Sequence, residues 1–191
     1  IFIFLVLKKM FFSLVSLWPL FLGLSLILIG NGLQGSLLGI RATLEGFNDL
    51  TIGLIISGYY WGFLISSILT PKMIEKVGHI RIFGALTAIA SASILFHPIF
   101  LNPFVWFIMR LFTGFSYAGM YIIAESWLNN ISNNKNRGQI LSIYFILSMC
   151  SLSIGQLLLG VSDPIGFELF ILTSIIISIA AAPILITASK V

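Results

Sequence analysis

The chain has 191 residues, 59% of them hydrophobic and only 8% charged, with a net charge of +4 and a mean hydropathy of +1.11. A soluble domain carries roughly 25% charged residues, so a water-soluble fold and a disordered chain are both excluded. The basic excess, 10 Lys+Arg against 6 Asp+Glu, fits loops gathered on one face of a membrane rather than a nucleic-acid surface.

A membrane helix takes about 20 apolar residues, so a chain of 191 residues has room for about six spans and their loops. Apolar runs fall at 11–38, 52–70, 82–101, 104–128, 140–160 and 167–188. Lipid leaves only helices or closed barrels viable, and the period-2 alternation of a barrel is absent. The fold class is therefore all-α, a polytopic membrane protein of six transmembrane helices. The start, Ile1-Phe2-Ile3-Phe4 leading to Lys8-Lys9-Met10, predicts that Met10 begins the protein and that 1–10 is an N-terminal segment, upstream translation or a fragment edge. No signal-peptide cleavage site follows. The membrane domain is expected over 11–188, with 189–191 read as a truncated end.

The loops are predicted at 41–51, 71–81, 102–103, 129–139 and 161–166. Lys8, Lys9, Lys72, Lys76, Arg81, Lys135, Arg137 and Lys190 fall on one side, Arg41 alone on the other, and Arg110 within a span. The positive-inside rule then puts both termini in the cytoplasm. Small residues recur every four positions, as in Gly58/Gly62/Ser66, Gly84/Ala88/Ala92 and Ser174/Ser178/Ala182, a spacing that lets helices pack closely in lipid. Cys150, the single cysteine, lies in an apolar run and reads as a small buried apolar residue.

Arg110 stands six residues into the fourth span. An intramembrane Arg is a functional candidate by default; the alternative is snorkelling, since six residues give only about 9 Å of depth. Glu125 ends the same span and, about 22 Å away along the axis, cannot pair with Arg110. Its expected partners are Arg137 and the basic residues of 71–81, as a breakable clamp or as a plain interfacial ion pair. In the first span, Gly30-Asn31-Gly32-Leu33-Gln34-Gly35-Ser36 places amides among glycines. They either bond a neighbouring helix or line a watery cavity. Tyr59, Tyr60, Trp61, Tyr117, Tyr144 and Gln156 are weaker cavity candidates, and His97 reads as hydrogen-bonded structure.

Six spans with both ends inside, a charged second loop and an Arg in span four resemble the N-terminal half of a major facilitator superfamily transporter. The superfamily's second-loop run, Gly-x-x-x-Asp-Arg-x-Gly-Arg-Lys, is similar to Pro71-Lys-Met-Ile-Glu75-Lys76-Val-Gly78-His79-Ile80-Arg81. Pro71 replaces the leading glycine, and His79-Ile80-Arg81 reproduces the basic end in part. The span-four pattern of Arg with Gly four residues on resembles Arg110 and Gly114. Ala124-Glu125-Ser126-Trp127-Leu128-Asn129, Arg137-Gly138 and Val77-Gly78-His79-Ile80-Arg81 resemble the YcaD-type bacterial subgroup. The antiporter Gly-Pro of span five is not matched; Gly155-Gln156-Leu-Leu-Leu-Gly160 stands there.

The resemblance implies 3+3 inverted repeats and a substrate site between two six-helix halves. It implies a secondary transporter of a small solute working by alternating access, with the C-terminal half as missing partner and a proton or ion as coupling partner. Asn31, Gln34, Arg110, Tyr117 and Gln156 would line the cavity. Glu75, Lys76, Gly78, Arg81, Glu125 and Arg137 would form the cytoplasmic gate. A six-helix channel or assembly subunit acting as a dimer is the alternative. No enzyme is expected: a Ser nucleophile such as Ser116 has no histidine on the sixth span. Cys150, His79 and His97 share no zinc spacing. No cofactor, phosphate loop or nucleic-acid partner is expected.

Overall fold

The computed structural model describes residues 2–132 and 136–187, with side chains over 18–130, 132 and 136–186. Lys135, Lys190 and the 189–191 end lie outside the described residues, as do the side chains of Lys8 and Lys9. Six helices follow one another: α1 (Phe2–Leu44), α2 (Asp49–Val77), α3 (His79–Ile99), α4 (Pro103–Ile131), α5 (Arg137–Leu157) and α6 (Glu168–Thr187). A single 3-10 turn, Leu158–Val161, extends α5. No strand occurs among the described residues. All six helices contain stretches long and apolar enough to cross a membrane.

Several helices outrun their apolar stretches. The 29 residues of α2 measure about 43 Å against a hydrocarbon core of about 30 Å, so its last turns project beyond the lipid. The segment expected as a 71–81 loop is thus helix as far as Val77, and only Gly78 breaks the chain before α3. Gly78 takes φ 91°, a conformation open to glycine at little cost, and its amide closes the α2 end on the Ile74 carbonyl. Elsewhere the turns are set by capping. Asn48 accepts from the Thr51 amide at 2.8 Å. Asn102 accepts from Phe104 at 2.9 Å, with Pro103 at the first helical position, where its missing N–H costs nothing.

The helices pair in a pattern that maps onto itself when α1, α2, α3 are exchanged with α4, α5, α6. α2 packs on α4 as α5 packs on α1; α3 packs on α4 as α6 packs on α1; α3 and α6 pack on each other. Odd numbers of crossings separate the exchanged helices, so each runs opposite to its counterpart, which fits 3+3 inverted repeats. Glycines make both close approaches. A Cβ on Gly62 or Gly114 would overlap the Leu111 or Tyr59 backbone across α2–α4. A Cβ on Gly32 or Gly155 would overlap Leu152 or Ile29 across α1–α5.

The Gly58/Gly62/Ser66 row is buried in this contact, as its spacing predicts. In the α6 row, buried Ser174 and exposed Ser178 both share a hydrogen bond with Ser91 at 2.7 Å. The Gly84/Ala88/Ala92 row is a correction: Ala88 and Ala92 are exposed, and α3 buries Phe83, Leu86, Ala90 and Ile94 instead. Four-residue spacing identifies a smooth stripe but not which face of the helix the bundle uses. Cys150 is likewise exposed on α5, not buried.

Candidate functional site

The bundle interior holds a polar cluster where α1, α2 and α4 meet. Arg110, Gly114, Tyr117 and Tyr121 follow one another at helical spacing on α4. Arg110 is 6% exposed, and its guanidinium carbon lies 4.6 Å from the centre of the Tyr59 ring. Gly114 lets the α2 backbone come close enough for that contact, because a side chain there would strike the Tyr59 carbonyl. From α1, Asn31 donates to the Tyr121 hydroxyl at 2.9 Å and reaches the Tyr59 hydroxyl at 3.5 Å. The Tyr117 ring lies between, 6.3 Å from Tyr59 and 6.2 Å from Tyr121 by ring centres. Three helices are therefore tied through one arginine, one amide and three phenols.

Much of this polarity has no partner. Arg110 Nε and Nη1, Tyr117 Oη and both amide atoms of Gln34 are buried without a hydrogen bond. Gln34 lies one turn beyond Asn31 on the same face of α1 and is fully buried. A dry buried polar group costs about 1–3 kcal/mol, and native folds rarely leave several together. A cavity of about 280 Å³ opens beside the cluster between α1, α4 and α5. Asn31, Tyr121, Tyr144 and Ser148 are its polar residues, and Leu28, Phe145, Met149 and Leu152 its apolar ones.

Of the residues expected at the cavity, Asn31 and Arg110 join this cluster through Tyr59, and Tyr117 stands beside them. Gln156 does not join it; it is exposed on α5. Tyr59 proves central rather than peripheral. Tyr121 was legible only as the residue four on from Tyr117.

The residues expected at the gate stand at the end of the bundle that carries Gly78 and the 132–136 connection. Glu75, Lys76, Arg81, Glu125 and Arg137 are all exposed there. Among the described residues the sole ion pair is Arg41–Glu45. Glu125 accepts from the Tyr144 hydroxyl at 3.2 Å rather than pairing with Arg137 or with the 71–81 cations. His79 shares a hydrogen bond with Ser126 at 3.1 Å and stacks on Trp127 at 5.7 Å, joining the start of α3 to α4.

At the opposite end, Arg41 is buried and does more than count as a loop charge. Its Nη1 donates to the Pro164 carbonyl at 3.0 Å and to the Ile165 carbonyl, clamping the α5–α6 connection to α1. His97 is buried and its Nδ1 meets the Ser93 and Ile94 carbonyls at 3.1 and 3.2 Å, while its Nε2 has no partner. The His97 carbonyl in turn accepts from the Trp106 indole at 2.9 Å.

Six membrane-length helices around a buried arginine with no ion pair among the described residues define a polytopic membrane protein with a polar site inside its spans. The family model described as Major Facilitator Superfamily matches residues 20–190, and the chain belongs to that superfamily. Its members are transporters rather than enzymes. Similar proteins include an uncharacterized MFS-type transporter of Enterobacter sp. (strain 638), 24% identical over 138 residues, 72% of this chain and 36% of that protein. The uncharacterized MFS-type transporter YcaD of Escherichia fergusonii is 25% identical over the same shares. YcaD of Escherichia coli O45:K1 is 24% identical over 138 residues. The matched segment spans about a third of the length of these curated relatives, 36% in each case. No solved structure matches the chain.

Proposed function

We propose that this chain is the first six-helix body of a secondary transporter that carries a small solute by alternating access. The supporting observation is the buried, unpartnered guanidinium of Arg110, held on Tyr59 beside Asn31 and Tyr117. Burying an uncompensated charge is expensive, and lipid gives no reason to keep one. A cavity that exchanges solutes does.

In this reading α1 and α4 line the solute path, with Asn31, Gln34, Arg110 and Tyr117 as binding groups; Gln156 contributes only against a second body. That second six-helix body closes the other side, consistent with the share of the relatives that is matched. The exposed apolar side chains of α2 and α5, such as Trp61, Leu64, Phe145 and Met149, supply the sliding surface. Glu75, Lys76, Gly78, Arg81, Glu125 and Arg137 form a cytoplasmic gate whose charge pairs form in one conformation and break in the other. Both termini are cytoplasmic, by the excess of basic residues at the Gly78 end. The coupling partner is a proton or another ion.

The test is uptake and efflux of labelled charged metabolites by cells expressing the full-length protein, with Arg110→Ala and Glu125→Gln alongside. Loss of flux with Arg110→Ala and altered flux with Glu125→Gln is expected. Undiminished transport by both variants removes the site and the gate together.

A further inference from the structure

The exchange of α1 with α4 and of α2 with α5 relates two interior contacts of opposite character. Gly114 on α4 lies against the Tyr59 carbonyl of α2, and Gly32 on α1 lies against the Leu152 carbonyl of α5. Arg110 stands four residues before Gly114, and Leu28 stands four residues before Gly32. Leu28 and Leu152 therefore hold, in the α1–α5 pair, the places that Arg110 and Tyr59 hold in the α2–α4 pair. The guanidinium reaches the face of the Tyr59 ring, 4.6 Å from its centre. Two leucines are shorter and make no such contact. At this place lies the cavity of about 280 Å³ between α1, α4 and α5, and both leucines line it.

The cavity has an apolar side and a polar one. Phe145 and Met149 of α5 are exposed at its rim and, with Leu28 and Leu152, present carbon to whatever enters. Tyr144 and Ser148 also line it, but their hydroxyls are committed. Tyr144 donates to Glu125 at 3.2 Å, and Ser148 donates to the Tyr144 carbonyl at 2.7 Å. Asn31 and Tyr121 are placed differently. Asn31 gives its Nδ2 to the Tyr121 hydroxyl at 2.9 Å, so its Oδ1 is left as an acceptor. The Tyr121 oxygen accepts in that bond, so its own proton is left to donate. A donor and an acceptor thus stand side by side on an otherwise carbon-rich wall. At about 280 Å³ the cavity is small beside ligand sites of roughly 300–1,000 Å³, which limits the body it takes to one ring or a short chain.

We infer that this cavity binds the small apolar part of an organic molecule, a ring or short alkyl chain, by one hydroxyl or amide attached to it. The oxygen of that group accepts from Tyr121, and its O–H or N–H donates to Asn31 Oδ1. Arg110 takes no part, since it does not line the cavity. Whatever the molecule carries beyond the rim is left to the second body. The purpose of such binding rests on the transport reading; its detection does not.

The full-length protein in lipid vesicles is illuminated with a diazirine derivative of benzyl alcohol, and labelled residues are read by peptide mass spectrometry. Ile89 and Phe96, exposed on α3, report the background from probe dissolved in lipid. Labelling of Phe145 and Met149 should exceed that background several-fold. Benzyl alcohol and benzamide should compete it away, and acetamide, a head without a body, should not. Tyr121→Phe should weaken competition by benzyl alcohol about fivefold, the size of one neutral hydrogen bond, and leave competition by toluene unchanged. If Tyr121→Phe does not fold, Met149→Trp decides: its ring fills the cavity and should bring Phe145 labelling down to that of Phe96.

Phe145 labelling no higher than that of Phe96 means that lipid alone occupies the cavity, and it overturns the inference. Competition by acetamide, unchanged competition by benzyl alcohol in Tyr121→Phe, or undiminished Phe145 labelling in Met149→Trp does so too. Labelling above background without flux of any solute supports the inference and removes the transport reading. Flux with labelling only at background does the reverse.

Discussion

Arg110 and Tyr59 face each other across the closest part of the α2–α4 contact, guanidinium carbon 4.6 Å from ring centre. The same ring carries a hydroxyl within reach of Asn31 on α1, so Tyr59 serves two helices through two chemistries. Its face holds the cation, and its oxygen holds the amide. Removing them separately distinguishes the two. Tyr59→Phe keeps the face and should shift stability by less than about 1 kcal/mol. Tyr59→Ala removes ring burial and cation–π contact and should cost about 3 kcal/mol or more. Unfolding midpoints of the purified variants check this; equal midpoints would mean that the ring face contributes nothing.

The two glycine crossings give a second prediction. Gly114 on α4 and Gly32 on α1 occupy corresponding places in the exchanged pairs, against the Tyr59 and Leu152 carbonyls. Alanine at either forces a backbone to move and should destabilise by about 1–3 kcal/mol, as overpacking does. Gly35, exposed on α1 with nothing near its Cβ position, should gain stability on the same change, by up to about 1 kcal/mol of helix propensity. Thermal unfolding of the three variants shows whether opposite signs are observed.

The six spans were legible because lipid sets a minimum apolar length, and that length is written directly in the residue order. Arg110 stood out because a charge inside such a run is costly in lipid, with snorkelling as its plain alternative. Other features left no comparable trace. The helix from Thr70 to Val77 lies beyond the apolar stretch, where polarity no longer distinguishes helix from loop. Tyr59 and Tyr121 look like any packing aromatics until the fold brings them to Asn31. The Gly84 row has the spacing of an interface and faces outward, since spacing carries no record of which side neighbours occupy. Arg41 counts as one loop charge in sequence, and only the folded α5–α6 connection reveals it as a clamp.

That clamp is testable at the water-exposed end of the bundle. Arg41 donates to the Pro164 and Ile165 carbonyls and to Glu45 at 2.7 Å. Arg41→Ala leaves those acceptors unserved and should cost about 2 kcal/mol. Glu45→Gln removes only the charge of an i,i+4 pair and should cost about 0.5 kcal/mol at most. Limited proteolysis should then cut the 162–167 connection faster in Arg41→Ala than in Glu45→Gln; equal cutting rates would mean that the ion pair, not the carbonyl clamp, holds the loop.

Gln34 separates stability from function most sharply. Its side chain is fully buried, and neither amide atom has a partner. A group kept for folding alone would be better as leucine, which is similar in volume and has nothing to desolvate. Gln34→Leu should therefore raise stability by about 1–3 kcal/mol and, on the proposed role of the amide in the solute path, reduce transport at the same time. Paired measurements of unfolding midpoint and flux on this variant decide the matter. A variant less stable than the parent would show that the amide is bonded in the folded protein. A more stable variant with undiminished flux would place Gln34 outside the solute path.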